Sequence, residues 1–358
     1  MAVLGVHHVS SYSGAFTIPL RLLFAKKCDL RTGVDRTNAF TYHPIMSLDR
    51  QVFRIALPIA VAYILFFAVA AQVVRAGASE SFSLLLTAPG VAVYGDETEE
   101  GSEEYVQILD LSAGARIVFW HGPMVDAGRG KGQYGGSSPQ IERHLLPDVW
   151  GLLQSREPYM LCLANGQFFR DTVNGLWVNP TELAFPLKSD GVVVSEGYEQ
   201  RRFRQQRGML EVWDDRATIS AFSRRAFYAS TAPNVIVGLE EQARVRATES
   251  LGRTFVGIGD GDGDGVHERL LIYSGAAATQ SRAASVLRDF GAREIMILDG
   301  GGSSQLSCEG VNYIRRIRPL PQMIATVPAV VEQTPPDLYL SLFEKTLARW
   351  LALLSGDQ

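Results

Sequence analysis

The chain has 358 residues, of which 46% are hydrophobic, and a formal net charge of −4. That much apolar material can bury one large core or two smaller ones. There is no basic field of the kind that draws in nucleic acid, so nucleic acid is not an expected partner. Lysine is confined to Lys26, Lys27, Lys131, Lys188 and Lys345, and arginine carries nearly all the positive charge.

Residues 1–45 read as an extension ahead of Met46. The stretch from Ile55 to Val74 is uncharged and almost wholly apolar, bounded by Arg54 and Arg75. About twenty residues rising about 1.5 Å each span the roughly 30 Å hydrocarbon core of a membrane. Arg50 and Arg54 precede the stretch and only Arg75 closely follows it, which puts the N-terminal side in the cytoplasm. Ala68-Val69-Ala70 and Ala76-Gly77-Ala78 are small-residue triplets of the sort signal peptidases cut. Residues 46–78 therefore read as a signal peptide or signal anchor. The domain beyond is expected outside the cytoplasm: periplasmic, secreted or membrane-anchored. A buried core helix is the alternative, and it would have to be apolar all round.

Residues 79–102, acidic at the end through Asp96, Glu97, Glu99 and Glu100, read as a linker. Residues 105–111 and 116–120 read as strands, and 147–155 as a helix by its apolar spacing. The glycine-rich loop 128–139 lacks the glycine spacing and the Lys-Ser/Thr pair of a phosphate-binding loop. Strands are expected at 192–194, 209–213 and 217–222, with Asp214-Asp215-Arg216 turning the last pair. In 279–290, Ala283, Val286, Leu287 and Phe290 make one apolar helix face, and Gly291 suits the C-terminal cap. After Pro335-Pro336, residues 338–354 read as a leucine-rich amphipathic helix with Tyr339, Phe343 and Trp350. It could dock on the domain, self-associate or lie on a membrane surface. The fold class is α+β: one domain over 103–331, mostly antiparallel strands with flanking helices, and two connections long enough to allow a mixed sheet.

The chemistry concentrates in three strand-end motifs. Asp299-Gly300-Gly301-Gly302-Ser303-Ser304 follows the apolar run 294–298. Consecutive glycines are costly to order and make sense where the backbone needs φ > 0 or a close approach. Their N–H groups can form an anion-binding concavity, with Ser303 and Ser304 adding donors. Leu163-Ala164-Asn165-Gly166-Gln167-Phe168-Phe169 is a second strand opening into a turn, and Gly252-Arg253-Thr254-Phe255 a third. In this order, and with Arg318-Pro319-Leu320-Pro321-Gln322 closing it, the pattern resembles the phosphodiester glycosidase family over about residues 103–331. Gln167 stands where the family more often has a small residue.

The resemblance implies an exported hydrolase that cleaves a sugar-1-phosphodiester or phosphoglycan between the anomeric carbon and the phosphate. Such a leaving group is already a stable anion, with a second pKa of about 6, and needs little proton donation. It does need charge stabilisation, which an arginine and a row of backbone N–H groups supply. Arg253 is the expected phosphate fork, with a structural salt bridge as its plainer role. Asp299 is the expected carboxylate at the anomeric carbon, as base or nucleophile; stabilising its own turn is the plainer role. Asp171, Glu182 and Asp190 are candidate second carboxylates. Asn165, Gly166, Thr254, Gly300, Gly301, Gly302, Ser303 and Ser304 are the expected binding residues, although Asn165 could simply adopt the left-handed conformation of a tight turn. Two other readings are a non-catalytic glycan- or phosphate-binding protein and a phosphodiesterase that breaks the P–O bond.

Asp260, Asp262, Asp264 and Glu268 have the opening spacing of a calcium loop, but Leu271 stands where an EF-hand needs its glutamate. The expectation is a structural Ca²⁺ site, with a Gly/Asp hairpin as the alternative; no organic cofactor is expected. Cys162 and Cys308 flank the two glycine turns, and free thiols are favoured over a bond between them.

Overall fold

The computed structural model describes residues 81–97, 103–170, 179–198 and 206–330. They lie within one compact unit, Ala68–Gln358. The apolar stretch 55–74, the start at Met46, Asp171 and the segment 338–354 lie outside the described residues. Among the described residues no helix is long and apolar enough to cross a membrane.

The strands with the longest apolar runs are the ones covered on both faces. They sit in the middle of an 11-stranded sheet whose main path is β1 (Ser83–Ala88), β2 (Val91–Glu97), β3 (Glu103–Asp110), β14 (Arg269–Ala278), β13 (Leu251–Gly259), β15 (Glu294–Ile297), β12 (Asn234–Glu240), β10 (Arg207–Val212) and β11 (Ala217–Ala221). The short β8 (Leu187–Ser189) and β9 (Val192–Ser195) hang from β12. A second sheet of five strands runs β17 (Val311–Ile314), β16 (Leu306–Cys308), β7 (Cys162–Asn165), β18 (Gln322–Val327) and β4 (Arg116–His121). A two-stranded ribbon, β5 (Met124–Asp126) with β6 (Gln140–Ile141), and three helices, α1 (Leu146–Gln154), α2 (Arg224–Ala229) and α3 (Gln280–Asp289), complete the described structure.

Side chains alternate across a strand, so each central strand feeds two cores. Val256, Ile258, Leu270, Ile272 and Met296 pack against Ile117, Phe119, Leu163 and Met323 of the second sheet. Their neighbours Phe255, Leu271, Tyr273, Ile295 and Ile297 pack on the other side against Phe227 of α2 and Val286 and Leu287 of α3. The order is thus small sheet, large sheet, then α2 and α3, while α1 packs into the small sheet's core through Leu146, Val149 and Leu153. α3 begins where Thr279 caps it by accepting from Arg282 N, and ends before Gly291 at φ +93°.

Two expectations change. Every strand pairing among the described residues is antiparallel, so the sheets are not mixed. The expected linker 79–102 contains the hairpin β1–β2, which extends the large sheet beyond β3. Its acidic end was misleading because Asp96 is buried and pairs with Arg282 at 3.5 Å. The strand therefore continues under α3 and not out into solvent.

Candidate active site

Strand β7 ends at Asn165, where it meets the turn after β15. Asn165 is 1% exposed and joins the three motifs through its side chain. Its Nδ2 donates to Asp299 O at 2.7 Å, and its Oδ1 accepts from Thr254 Oγ1 at 2.8 Å and from Gln305 N at 3.1 Å. The backbone adds Asp299 N to Gly166 O at 3.0 Å and Asn165 N to Gln305 O at 3.3 Å. Asn165 is not among the described residues with positive φ, so its place depends on its amide and not on a left-handed turn.

The glycines are required by close approach. A Cβ on Gly300 would lie 2.7 Å from Gly252 O, and one on Gly252 would lie 2.2 Å from Gly301 O. Here the mouth of β13 and the glycine turn touch backbone to backbone. Gly301 takes φ +64° within a short 3-10 turn, Gly301–Ser303. Gly166 is held the same way: a Cβ there would meet Gln322 Oε1 at 1.9 Å, and that oxygen accepts from Gln167 N at 2.6 Å. Gln167 itself turns inward, donating to Pro186 O at 3.3 Å and accepting from Phe168 N at 3.0 Å. It does not project into the site.

Asp299 is half-buried at this junction, and its Oδ1 accepts from Gly300 N at 3.0 Å. The carboxylate thus supports its own turn while remaining near the surface. Thr254 Oγ1 lies 3.5 Å from Ser304 Oγ. Ser303 Oγ is buried with no hydrogen-bond partner among the described residues.

Arg253 is not part of this cluster. Gly252 and Thr254 share a face of β13 that looks towards the glycine turn, so strand alternation sends Arg253 to the helix-covered face. There it is 4% exposed and donates to the carbonyls of Ala278, Val245, Arg246 and Glu249 at 2.6–3.2 Å. Burial lowers its pKa, with Glu249 opposing that shift. The guanidinium fastens a loop; it does not present a fork to a ligand.

The arginine at the glycine turn is Arg318. Its Nη1 would lie 3.6 Å from a Cβ built on Gly302, and its guanidinium sits 5.0 Å from the Phe169 ring centroid. Gln305 Nε2 holds its backbone by donating to Arg318 O at 2.9 Å. Phe169 thus serves as a platform for this cation as well as a core residue. Of the candidate second carboxylates, Glu182 pairs with Arg170 at 3.2 Å, and Asp190 is an exposed turn residue at φ 49°.

Residues 161–327 match the family model described as phosphodiester glycosidase. Over this stretch the chain is similar to the phosphodiester glycosidase family. Among solved structures, the zebrafish N-acetylglucosamine-1-phosphodiester alpha-N-acetylglucosaminidase catalytic domain, auto-inhibited by its pro-peptide, aligns at 12% identity and TM-score 0.44 over 70% of this chain and 85% of that one. A hypothetical protein from Synechocystis aligns at 11% and TM-score 0.39, covering 70% of this chain and 64% of that one. A Burkholderia pseudomallei protein described as a "putative exported protein" aligns at 12% and TM-score 0.36, covering 63% of this chain and 74% of that one. No curated protein matches. All three motifs meet at Asn165, and of their polar side chains those of Arg253 and Gln167 turn away from the junction.

Two further features accompany the site. Cys162 and Cys308 lie directly opposite each other on β7 and β16 and form a disulfide, which corrects the expectation of free thiols. The pairing follows from a strand register that spacing in the chain, 146 residues, does not reveal. The acidic loop joins β13 to β14 at the end of β13 remote from Thr254, about 17 Å away at about 3.4 Å per residue. One carboxylate oxygen from each of Asp260, Asp262, Asp264 and Glu268 lies within 4.8 Å of the others. Desolvation opposes ionisation of Asp260, but N–H groups of Gly263 and Gly265 and the charge of Arg293 hold its pKa below the ordinary value.

Proposed function

We propose that this protein is an exported hydrolase of glycosyl phosphodiesters that releases a free sugar and a phosphate monoester. The observation that carries the proposal is the hydrogen-bonded cluster in which Asn165, Thr254 and Gln305 hold Asp299 and the glycine turn together. Asp299 acts at the anomeric carbon, as base for an attacking water or as nucleophile. In the first case the water oxygen bonds to that carbon, Asp299 takes the water's proton, and the bond to the phosphate oxygen breaks with its electron pair. The phosphate leaves as an anion, so a second carboxylic acid is not required.

Arg318 takes the phosphate role in place of Arg253, supported by its position over Phe169 beside Gly302. A guanidinium offers paired donors suited to phosphate oxygens. The N–H groups of Gly301 and Gly302 and the Ser303 hydroxyl provide further donors, while Gly300 N stays on Asp299 and Thr254 and Ser304 position the turn. The Cys162–Cys308 bond supports an oxidising, extracytoplasmic location. The proposal also includes a structural Ca²⁺ held by Asp260, Asp262, Asp264 and Glu268, for which the convergence of their oxygens is the support. Turnover on a panel of sugar-1-phosphodiesters, with both products identified, tests the reaction. Release of sugar-1-phosphate would make the protein a P–O phosphodiesterase. Binding without turnover would make it a glycan- or phosphate-binding protein.

A further inference from the structure

At the pole of the small sheet opposite Asn165, a groove of about 660 Å³ opens between α1, the start of β7 and the end of β18. Trp150, Pro158, Tyr159, Met160, Pro328 and Val330 form half of its wall, and Gln154 and Glu309 are its polar members. Tyr159 is 64% exposed and Val330 65%. Scattered apolar surface residues need no explanation, but aromatic and aliphatic groups gathered in one concavity indicate something that covers them.

The described chain ends in this wall. Ala329 N donates to Pro89 O at 2.9 Å, and Val330 is the last residue described. The sequence that follows supplies a matching surface: Tyr339, Phe343, Leu347, Trp350 and Leu354 recur at helical spacing on one stripe, with Glu344, Lys345 and Arg349 away from it. Residues 331–337 separate the two, a tether of at most about 25 Å at about 3.3–3.6 Å per residue. That is long enough to turn back and short enough to keep the stripe beside the groove. Tethering at this length makes the effective concentration of the segment millimolar, which favours it over a second copy of the chain.

We infer that this groove is the docking site of residues 338–354 of the same chain. The stripe from Tyr339 to Leu354 covers Trp150, Tyr159 and Met160, and the face carrying Lys345 and Arg349, which also bears Leu338 and Leu342, remains outward. The segment thereby braces the far ends of β7 and β18, the strands that carry Asn165 and Gln322 at their other ends. This inference does not depend on the proposed reaction.

Limited trypsin digestion of the full chain in mild detergent, followed by mass spectrometry of the peptides spanning Lys345 and Arg349, tests it. Cleavage after these residues should be at least about tenfold slower in the wild type than in Tyr159→Asp, which places a charge in the groove. Tyr339→Asp, which lies in the segment and away from both cleavage sites, should give the same acceleration without altering any residue of the groove. Equal cleavage rates in the wild type and both variants would overturn the inference. Protection that appears only with added phosphatidylglycerol vesicles would overturn it in favour of a membrane surface. Protection that is lost on dilution would overturn it in favour of a second copy.

Discussion

The two ends of β13 carry two turns of nearly the same composition, and they are built in opposite ways. At its start the Asp299–Ser304 turn is fixed by partners far away in the chain: Asn165 reaches Asp299 across 134 residues, Gln305 across 140 and Thr254 across 89. At its far end the Asp260–Gly265 loop is fixed by itself. Asp260 accepts from Gly263 N and Gly265 N, Asp262 from Asp264 N, and Asp264 from Val266 N. Acidic side chains bonding the next few N–H groups are what Asp-Gly turns do without any ligand. The first turn holds its carboxylate in a place set by the whole fold, and the second holds several in a place set by local turn chemistry. Catalysis needs the former, because a reacting group must be held to a fraction of an ångström.

The sharpest contrast should be kinetic. Asp299→Asn should lower turnover by about 10²–10⁴-fold while leaving substrate affinity largely intact, since the amide keeps the size of the carboxylate but not its basicity. Asp262→Asn at the other end should leave steady-state kinetics unchanged. Comparable losses in both variants would mean that the two turns are coupled, and the distinction drawn between them would fail.

A smaller effect separates the two arginines. Arg318→Lys replaces a planar fork by a point charge and should cost about 1.5–3 kcal/mol, or roughly 10- to 150-fold in kcat/KM. Arg253→Lys removes hydrogen bonds to buried carbonyls and should instead lower the unfolding free energy by about 1–3 kcal/mol, with the kinetics of the folded protein near normal. Denaturant melts paired with steady-state rates read both. An Arg253→Lys protein of normal stability and poor kcat/KM would return the phosphate role to that residue.

Gly166→Ala probes the packing behind the site. The added methyl must displace Gln322 Oε1 from Gln167 N, so a loss of about 1–3 kcal/mol of stability is expected. Gly263→Ala, where nothing lies within 4 Å of the added atom but φ is +83°, should cost about 1 kcal/mol. Urea midpoints for the two variants give the comparison.

The smallest effect concerns the acidic loop. Millimolar Ca²⁺ should raise the melting temperature by about 2–3 °C over chelator, because a ligand at about three times its Kd adds about 0.8 kcal/mol. The Asp262→Asn variant should lose that increment. Asp260 has a folded pKa below its ordinary value, so the stability it contributes is fully present above the unfolded value of 3.8 and fades as pH falls through the lower folded value. Identical melts in calcium and chelator would leave the loop as a hairpin turn alone.

Much of this was legible in the sequence. The α3 segment, its Thr279 and Gly291 ends, the β10–β11 hairpin and the meeting of three distant motifs are local patterns or ordered motifs. What was not legible is parity and register. Whether Arg253 or Thr254 faces the site depends on which side of β13 meets the small sheet. The only local hint was Gly252, whose missing side chain marks the face of close approach. Asp96 read as solvent-facing because its partner Arg282 lies 186 residues away, and the Cys162–Cys308 bond depends on the pairing of β7 with β16. Arg318 was visible as part of a closing segment, but nothing in its neighbourhood linked it to Gly302 or Phe169.

The central claim is that Asp299, held by the Asn165 cluster, acts at the anomeric carbon of a glycosyl phosphodiester. Hydrolysis in ¹⁸O-labelled water, with both products analysed by mass spectrometry, tests it most directly. The account predicts label at the anomeric oxygen of a free sugar, an unlabelled phosphate monoester, and loss of both products in Asp299→Asn. Label in the phosphate, or undiminished turnover in Asp299→Asn, would contradict it.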